Sequence, residues 1–163
     1  MNPQRWSIDT ESASVTFVAT SSVHPIRSFG TASGWFEAAF DGAEFTQGET
    51  LHGRFEIPVG DLSSGNPLVD REMKRRVDTA AHPLIVAEIE TTEDTGGDTA
   101  KITGTIRFLG IETLVEGELI ILPGPRLTGV GEFDVRWWGL DPPRLLMLRV
   151  DPIVTVEIDL PLV

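Results

Sequence analysis

Apolar residues in this chain recur at every second position far more often than at the helical spacing, which is the pattern of strands buried on one side. Residues 14–20 put Val15, Phe17 and Ala19 on one face. Residues 51–59 put Leu51, Gly53, Phe55, Ile57 and Val59 together, with His52, Arg54 and Glu56 opposite. The alternation continues through 100–109, where Ile102, Gly104, Ile106 and Phe108 oppose Lys101, Thr103, Thr105 and Arg107, and then through 113–122, 126–138 and 153–163. With 34–41 and 84–92 the count reaches eight strands. Turn residues separate them at Asp41-Gly42, at 95–98, at Gly110-Ile111-Glu112 and at Pro123-Gly124-Pro125. One segment differs: Asn66-Pro67 reads as an N-cap followed by a first-turn proline, and Val69, Met73 and Val77 then share one helical face, which predicts a helix over 67–78.

Eight antiparallel strands, short connections and one helix fit an all-β, up-and-down barrel, because closure removes the two edges an open sheet must protect. A two-sheet sandwich is the rival. A barrel of eight strands either fills with side chains or holds one small ligand. Glycines at positions 53, 104, 117, 129 and 131 fall in the inward phase among large apolar residues, where a solid core would place side chains. Each has an alternative reading as a bend or a close backbone approach. Five on one face point toward an elongated cavity.

The 163 residues suit one domain, 1–163, which buries roughly 70% of its unfolded surface. With 13 Lys and Arg against 25 Asp and Glu, the formal charge of -12 repels a phosphate backbone, so nucleic acid is not an expected partner. The opening MNPQRWSIDTESAS has no apolar core after its basic residue, and the apolar runs are short, so the reading has neither signal peptide nor membrane span and defaults to the cytoplasm. Absence of cysteine removes disulfides and thiol chemistry.

No hydrolase signature, phosphate loop or metal-ligand pair is present, and neither a cofactor nor a catalytic set is expected. His52 and His82 read as surface or turn residues, and Glu93, Asp94 and Asp98 as a solvated hairpin rather than a calcium loop. The basic cluster Arg71, Lys74, Arg75 and Arg76 reads as the wet face of the helix. His24, Arg27 and Ser28 follow the first strand, where Pro25 is expected to end pairing, and are the candidates to meet a polar headgroup. Phe17, Trp35, Phe55, Met73, Val77, Phe108, Leu119, Phe133 and Trp137 are the candidates to line the interior. Strict alternation sends Trp138 outward, where it could support a homodimer. Asp141-Pro142-Pro143 should form a crossing between strands, 145–148 a lid or the start of the last strand, and Pro152 a bulge.

The stretches WSID (6–9), SVTF (14–17), GWFEAAFDG (34–42), VDREMKRRVDTAAHP (69–83) and above all ITGTIRFLGIETLVEGEL (102–119), in this order and spacing, resemble the YceI-like family of lipocalin-like, polyisoprenoid-binding proteins. The chain departs from that family's common form at Ala13, where a histidine is frequent, in lacking tyrosine, and in a shorter segment between Asp70 and Pro83. The resemblance implies an eight-stranded barrel whose interior takes a long apolar tail: an isoprenoid, an isoprenoid quinone or a fatty-acid derivative. The leading expectation is therefore non-enzymatic binding, storage or transport of such a ligand. Two alternatives stand beside it: a small enzyme using His24 as acid or base on an apolar substrate, and a filled barrel serving as a protein-interaction module.

Overall fold

The structure, a computed structural model, describes residues 3–41, 44–45, 50–94, 99–141, 144–145 and 148–163. Among these residues the chain forms ten main strands and one α-helix. In chain order they are β1 (Gln4–Ser7), β2 (Ser14–Ser21), β3 (Ile26–Gly30), β4 (Ser33–Ala38), β5 (His52–Pro58), α1 (Pro67–Val77), β6 (Leu84–Asp94), β7 (Thr99–Phe108), β8 (Ile111–Leu122), β9 (Arg126–Asp134) and β10 (Leu148–Pro161). Two short pairings accompany them, Phe40–Asp41 with Glu44–Phe45 and Arg144–Leu145 with the start of β10.

All the ladders are antiparallel, in the order β1-β4-β5-β6-β7-β8-β9-β10-β2-β3. The expected all-β antiparallel class is what the chain adopts, but not the closed eight-stranded barrel. The sheet curls into a half-barrel with β1 and β3 as its two ends. β1 escapes the alternation because Trp6 is its one large apolar residue, yet it pairs with β4 in the register Trp6↔Phe36. β3 begins immediately after Pro25, since a proline just outside a strand removes no ladder hydrogen bond. Among the described residues no ladder joins β1 to β3; single bridges tie Ile8, beyond β1, to Leu162, beyond β10, and Phe29 of β3 to Ser63 in the loop after β5.

Local chemistry sets the element ends. The Asn66 side chain accepts from the amides of Leu68 at 3.0 Å and Val69 at 3.4 Å, which caps α1, and Asp78 in the left-handed region (φ 53°) ends it. Asp70 in the first turn and Lys74, Arg75 and Arg76 in the last complement the helix dipole. The β7–β8 hairpin turns on Leu109 (φ 54°) and Gly110 (φ 76°), two consecutive left-handed residues between the paired Phe108 and Ile111. That is the type I′ geometry that matches the strand twist, and it places the turn one residue earlier than Gly110-Ile111-Glu112. The expected bulge at Pro152 coincides with a register shift of the β10–β2 ladder between Val150 and Val154.

The interior divides in two. At the end away from α1, Ile8, Val15, Phe36, Leu51, Leu127, Leu160 and Leu162 are buried in one cluster. Toward the other end the strands diverge around a space roofed by α1, whose Val69 packs with Ile26 and Val150, with Met73 and Ala19 against them. A sheet solid at one end and hollow at the other keeps its stability in the solid half.

Candidate functional site

The hollow half holds an apolar cavity of about 250 Å³. Strand alternation builds its wall: Phe17 and Ala19 come from β2, Phe55 and Ile57 from β5, Ile85, Ala87 and Ile89 from β6, Ile102, Ile106 and Phe108 from β7, and Val154, Val156 and Ile158 from β10. Met73 and Val77 reach it from α1. Of the expected lining residues, Phe17, Phe55, Met73, Val77, Phe108, Leu119 and Phe133 face this one space.

Two do not. Trp35 lies on the outer face, under the Arg5 guanidinium at 3.9 Å and edge-on to His52 at 5.8 Å. It occupies the opposite phase of β4 from Phe36, which is fully buried. Trp137 is 50% exposed, whereas Trp138 is 5% exposed and lines the cavity. The expectation for the pair is therefore reversed, and the reason is local. β9 stops at Asp134, whose side chain accepts from the Arg136 amide at 2.9 Å and caps a 3₁₀ turn, Val135–Trp138. Three residues per turn replaces two per repeat, so the alternation does not carry through. Trp138 donates its indole N–H to the Ile106 carbonyl at 3.0 Å and meets Phe133 edge-on at 6.3 Å. Trp138, on which self-association was expected, is therefore not on the surface.

The headgroup candidates separate as well. Ser28 lies in the wall of the cavity, but Arg27, next to it on β3, faces outward opposite Val18. His24 is exposed in the β2–β3 loop, its backbone amide bound by Ser21 Oγ at 3.1 Å and its Nδ1 3.0 Å from the Pro25 carbonyl. Neither His24 nor Arg27 reaches the cavity wall. The polar side chains in its wall are instead Ser28, Asp70, Lys74 and Asp151, with Glu116 and Glu118 on β8. Asp70 is occupied, accepting from Ser64 Oγ at 2.6 Å and from the Ser64 amide at 2.9 Å. Glu72 holds Arg75 at 2.6 Å and Arg76 at 3.1 Å, and the hydrogen bond from Arg75 keeps its carboxyl below the usual glutamate value. Lys74 forms no ion pair among the described residues and stands at the margin with its charge available. Asp134 is buried and clamped by Arg136 at 2.6 Å, whose side-chain hydrogen bonds lower its pKa. Its role is to fix the turn that carries Trp138.

The five inward-phase glycines divide. A Cβ on Gly104 would fall on the Glu88 carbonyl oxygen, and one on Gly53 on the Phe36 ring and the Trp35 carbonyl, so both are fixed by close strand approach. Gly117, Gly129 and Gly131 lie in the cavity wall. Sequence reasoning missed Ile57, Ile106, Val154 and Trp138; the first three carry the same period-two signal as the aromatics and needed only equal weight.

The hairpin of Glu93, Asp94 and Asp98, read as solvated rather than as a calcium loop, includes Asp98, which lies outside the described residues; among the described residues no cluster of three metal-binding side chains occurs. The crossing at Pro142-Pro143 also lies outside them. The lid segment is covered in part: Arg144–Leu145 pairs with Leu148–Arg149 as a short hairpin at the start of β10. No helix among the described residues is long and apolar enough to cross a membrane.

The chain is thus a curled antiparallel half-barrel around one apolar chamber. The YceI-like domain matches residues 6–162, and the chain belongs to that family. Comparison with curated proteins gives no match. Among solved structures, BcnA of Burkholderia cenocepacia is similar with a TM-score of 0.76 and 15% identity, over 94% of this chain and 98% of that one. A polyisoprenoid-binding domain from Saccharophagus degradans, implicated in plant cell wall breakdown, is similar at 0.72 and 15%, over 95% of each chain. The Campylobacter jejuni YceI protein is more distant, at 0.56 and 12% over 78% of this chain and 79% of that one. At such identities the likeness is one of fold.

Proposed function

We propose that the protein binds, without chemical conversion, the hydrocarbon chain of an amphiphile such as an isoprenoid, an isoprenoid quinone or a fatty-acid derivative, and holds it for storage or transfer. The observation that carries this reading is the cavity: about 250 Å³ walled by aliphatic and aromatic side chains from eight strands and roofed by a helix. It is larger than the roughly 150 Å³ apolar cavity that stays dry and accepts benzene. Each methylene moved into it contributes about 0.8 kcal/mol before ordering costs, so a chain segment of several carbons binds without a specific polar contact. The membership in a family with polyisoprenoid-binding representatives supports the same reading. Lys74 and Ser28 stand where a polar or anionic head would emerge, in place of His24 and Arg27.

The test is extraction of the purified protein with organic solvent followed by mass spectrometry, together with titration of a fluorescent polyene fatty acid while following energy transfer from Trp138. A recovered amphiphile or saturable transfer is the expected result. No extractable ligand together with no transfer at saturating probe would overturn the proposal.

A further inference from the structure

The β8–β9 ladder is unusually short. β8 pairs with β7 from Ile111 to Ile120, and β9 pairs with β10 along its whole length, but β8 and β9 pair with each other only from Leu119↔Gly129 to Leu122↔Arg126. Continuing that register would join Glu118 to Val130 and Gly117 to Gly131, and among the described residues neither pair forms. Each strand is held firmly by its other neighbour, so the sheet is split along a slot that starts beyond Leu119 and ends where β8 meets the 3₁₀ turn, a Cβ on Gly139 falling 3.5 Å from the Ile111 side chain.

Three independent observations connect this slot with the cavity. The cavity wall includes Glu116, Glu118 and Val130, which are exposed outer-face residues, so the space passes through the sheet here. A groove on the outer face shares Glu118, Gly129, Val130 and Ile158 with the cavity wall and meets it across the same two strands. Gly117, finally, is demanded by no contact and by no left-handed backbone: a Cβ there would come no closer than 4.0 Å to its nearest neighbour, Ile102. An absent side chain that neither packing nor conformation requires leaves open space beside the slot. The outer rim carries apolar groups facing water, Leu114 at 84% and Val130 at 65% exposure.

We propose that the slot between β8 and β9 is a side portal through which the hydrocarbon chain enters and leaves the cavity, and in which the part of a long chain that the chamber does not hold comes to lie. The inference rests on the binding function proposed above. It assigns the passage of the hydrocarbon chain to the split sheet and leaves the polar margin beneath α1 to the headgroup. It also makes chain length a weakly selected property, because a chain longer than the chamber extends outward between Gly117 and Gly131.

The experiment closes the slot. The native chain contains no cysteine, so the pair Glu118→Cys and Val130→Cys, at the first unpaired step, gives a single reversible cross-link. Uptake of a fluorescent polyene fatty acid is followed by stopped-flow energy transfer, oxidised against reduced. The oxidised form should load and release the probe at least about tenfold more slowly, as expected when entry requires a further opening step, with full recovery in reductant. Gly117→Val, whose added carbons meet open space, should slow loading in the same direction without thiol chemistry and serves if the disulfide does not close. Equal rates in the oxidised and reduced forms, or in Gly117→Val and wild type, would overturn the portal while leaving the binding function standing. Failure of the wild-type chain to take up the probe would overturn both.

Discussion

Ala87→Leu separates a chamber built for a ligand from a core that is merely loose. Ala87 is 3% exposed, lines the cavity from β6, and lies in register with Phe55 of β5 and Ile106 of β7. Leucine there adds three carbons to a space already walled by aliphatic side chains. Burying them contributes about 2 kcal/mol at about 0.8 kcal/mol each, before any loss from imperfect fit. For a chain of this size that should raise Tm by roughly 4–8 °C. The same carbons displace about three methylenes of a bound chain, so affinity for a polyene fatty acid should fall about 50-fold. Thermal unfolding by circular dichroism and titration by energy transfer give the two numbers on one sample. Stability up and affinity down is the signature of a functional void. A Tm lowered by several degrees would mean that no usable space borders Ala87, and unchanged affinity would mean that the ligand does not occupy this chamber.

The remaining expectations concern elements the fold places unambiguously. Trp138→Phe removes the donor to the Ile106 carbonyl and should cost about 1–2 kcal/mol in urea unfolding, whereas Trp137→Ala, at a half-exposed position, should change stability by less than about 0.5 kcal/mol; the opposite result would restore the alternating register. Leu109→Asn relieves a branched side chain held at φ 54° and should stabilise the β7–β8 hairpin by about 1 kcal/mol in urea unfolding, and destabilisation would mean that leucine packing outweighs the backbone strain. The Asp134 carboxyl is held below its ordinary value of 3.8 by Arg136, so its contribution to stability is complete above that pH and is lost as pH falls through the depressed value. The stability difference between wild type and Asp134→Asn should accordingly be constant from neutral pH down to about 5 and shrink below about 4, and a difference that grew on acidification would have the wrong sign.

Period-two patterning exposed most of the sheet because those strands are buried on one face only, so each writes its phase directly into the sequence. It failed where burial no longer alternates. β1 carries Trp6 between polar neighbours and is recognisable only through its ladder with β4. β3 was hidden by Pro25, which ends a strand only when its missing amide would have been needed, and here pairing begins one residue later with Ala19↔Ile26. The 3₁₀ turn was legible in principle: Asp134 is a good cap, and Gly139, at φ 76°, is a good terminator four residues past the start of the turn. Reading Phe133 to Trp138 as one alternating run overrode both signals and exchanged the tryptophans. For the site, the inward phase located most of the chamber wall, but the headgroup margin was misjudged because Arg27 and Ser28 are on a strand and therefore face opposite ways.

The glycines show why a cavity can be suspected from a sequence but not drawn from it. Gly53, Gly104, Gly117, Gly129 and Gly131 share one phase and are chemically identical, yet they answer to different forces. At Gly104 the neighbouring β6 backbone runs so close that a methyl group would fall on the Glu88 carbonyl, and the fold itself excludes any side chain. At Gly129 the limit is the side chain of Leu119, 2.8 Å from a built Cβ, and at Gly131 the ring of Phe133 at 2.9 Å, so these residues let large apolar groups fold over the strand at the edge of the chamber. At Gly117 nothing intrudes within contact distance. The difference depends on which strands are paired at each level, and strand alternation is blind to it, since β8 and β9 each satisfy their pattern by pairing with β7 and β10 while remaining apart from one another over half their length. Parting two strands forgoes ladder hydrogen bonds whose groups must then be satisfied by water or by a neighbour. That cost is tolerable here because the buried cluster that includes Ile8, Leu127 and Leu162 carries the packing, and it places a parted seam directly beside the apolar chamber.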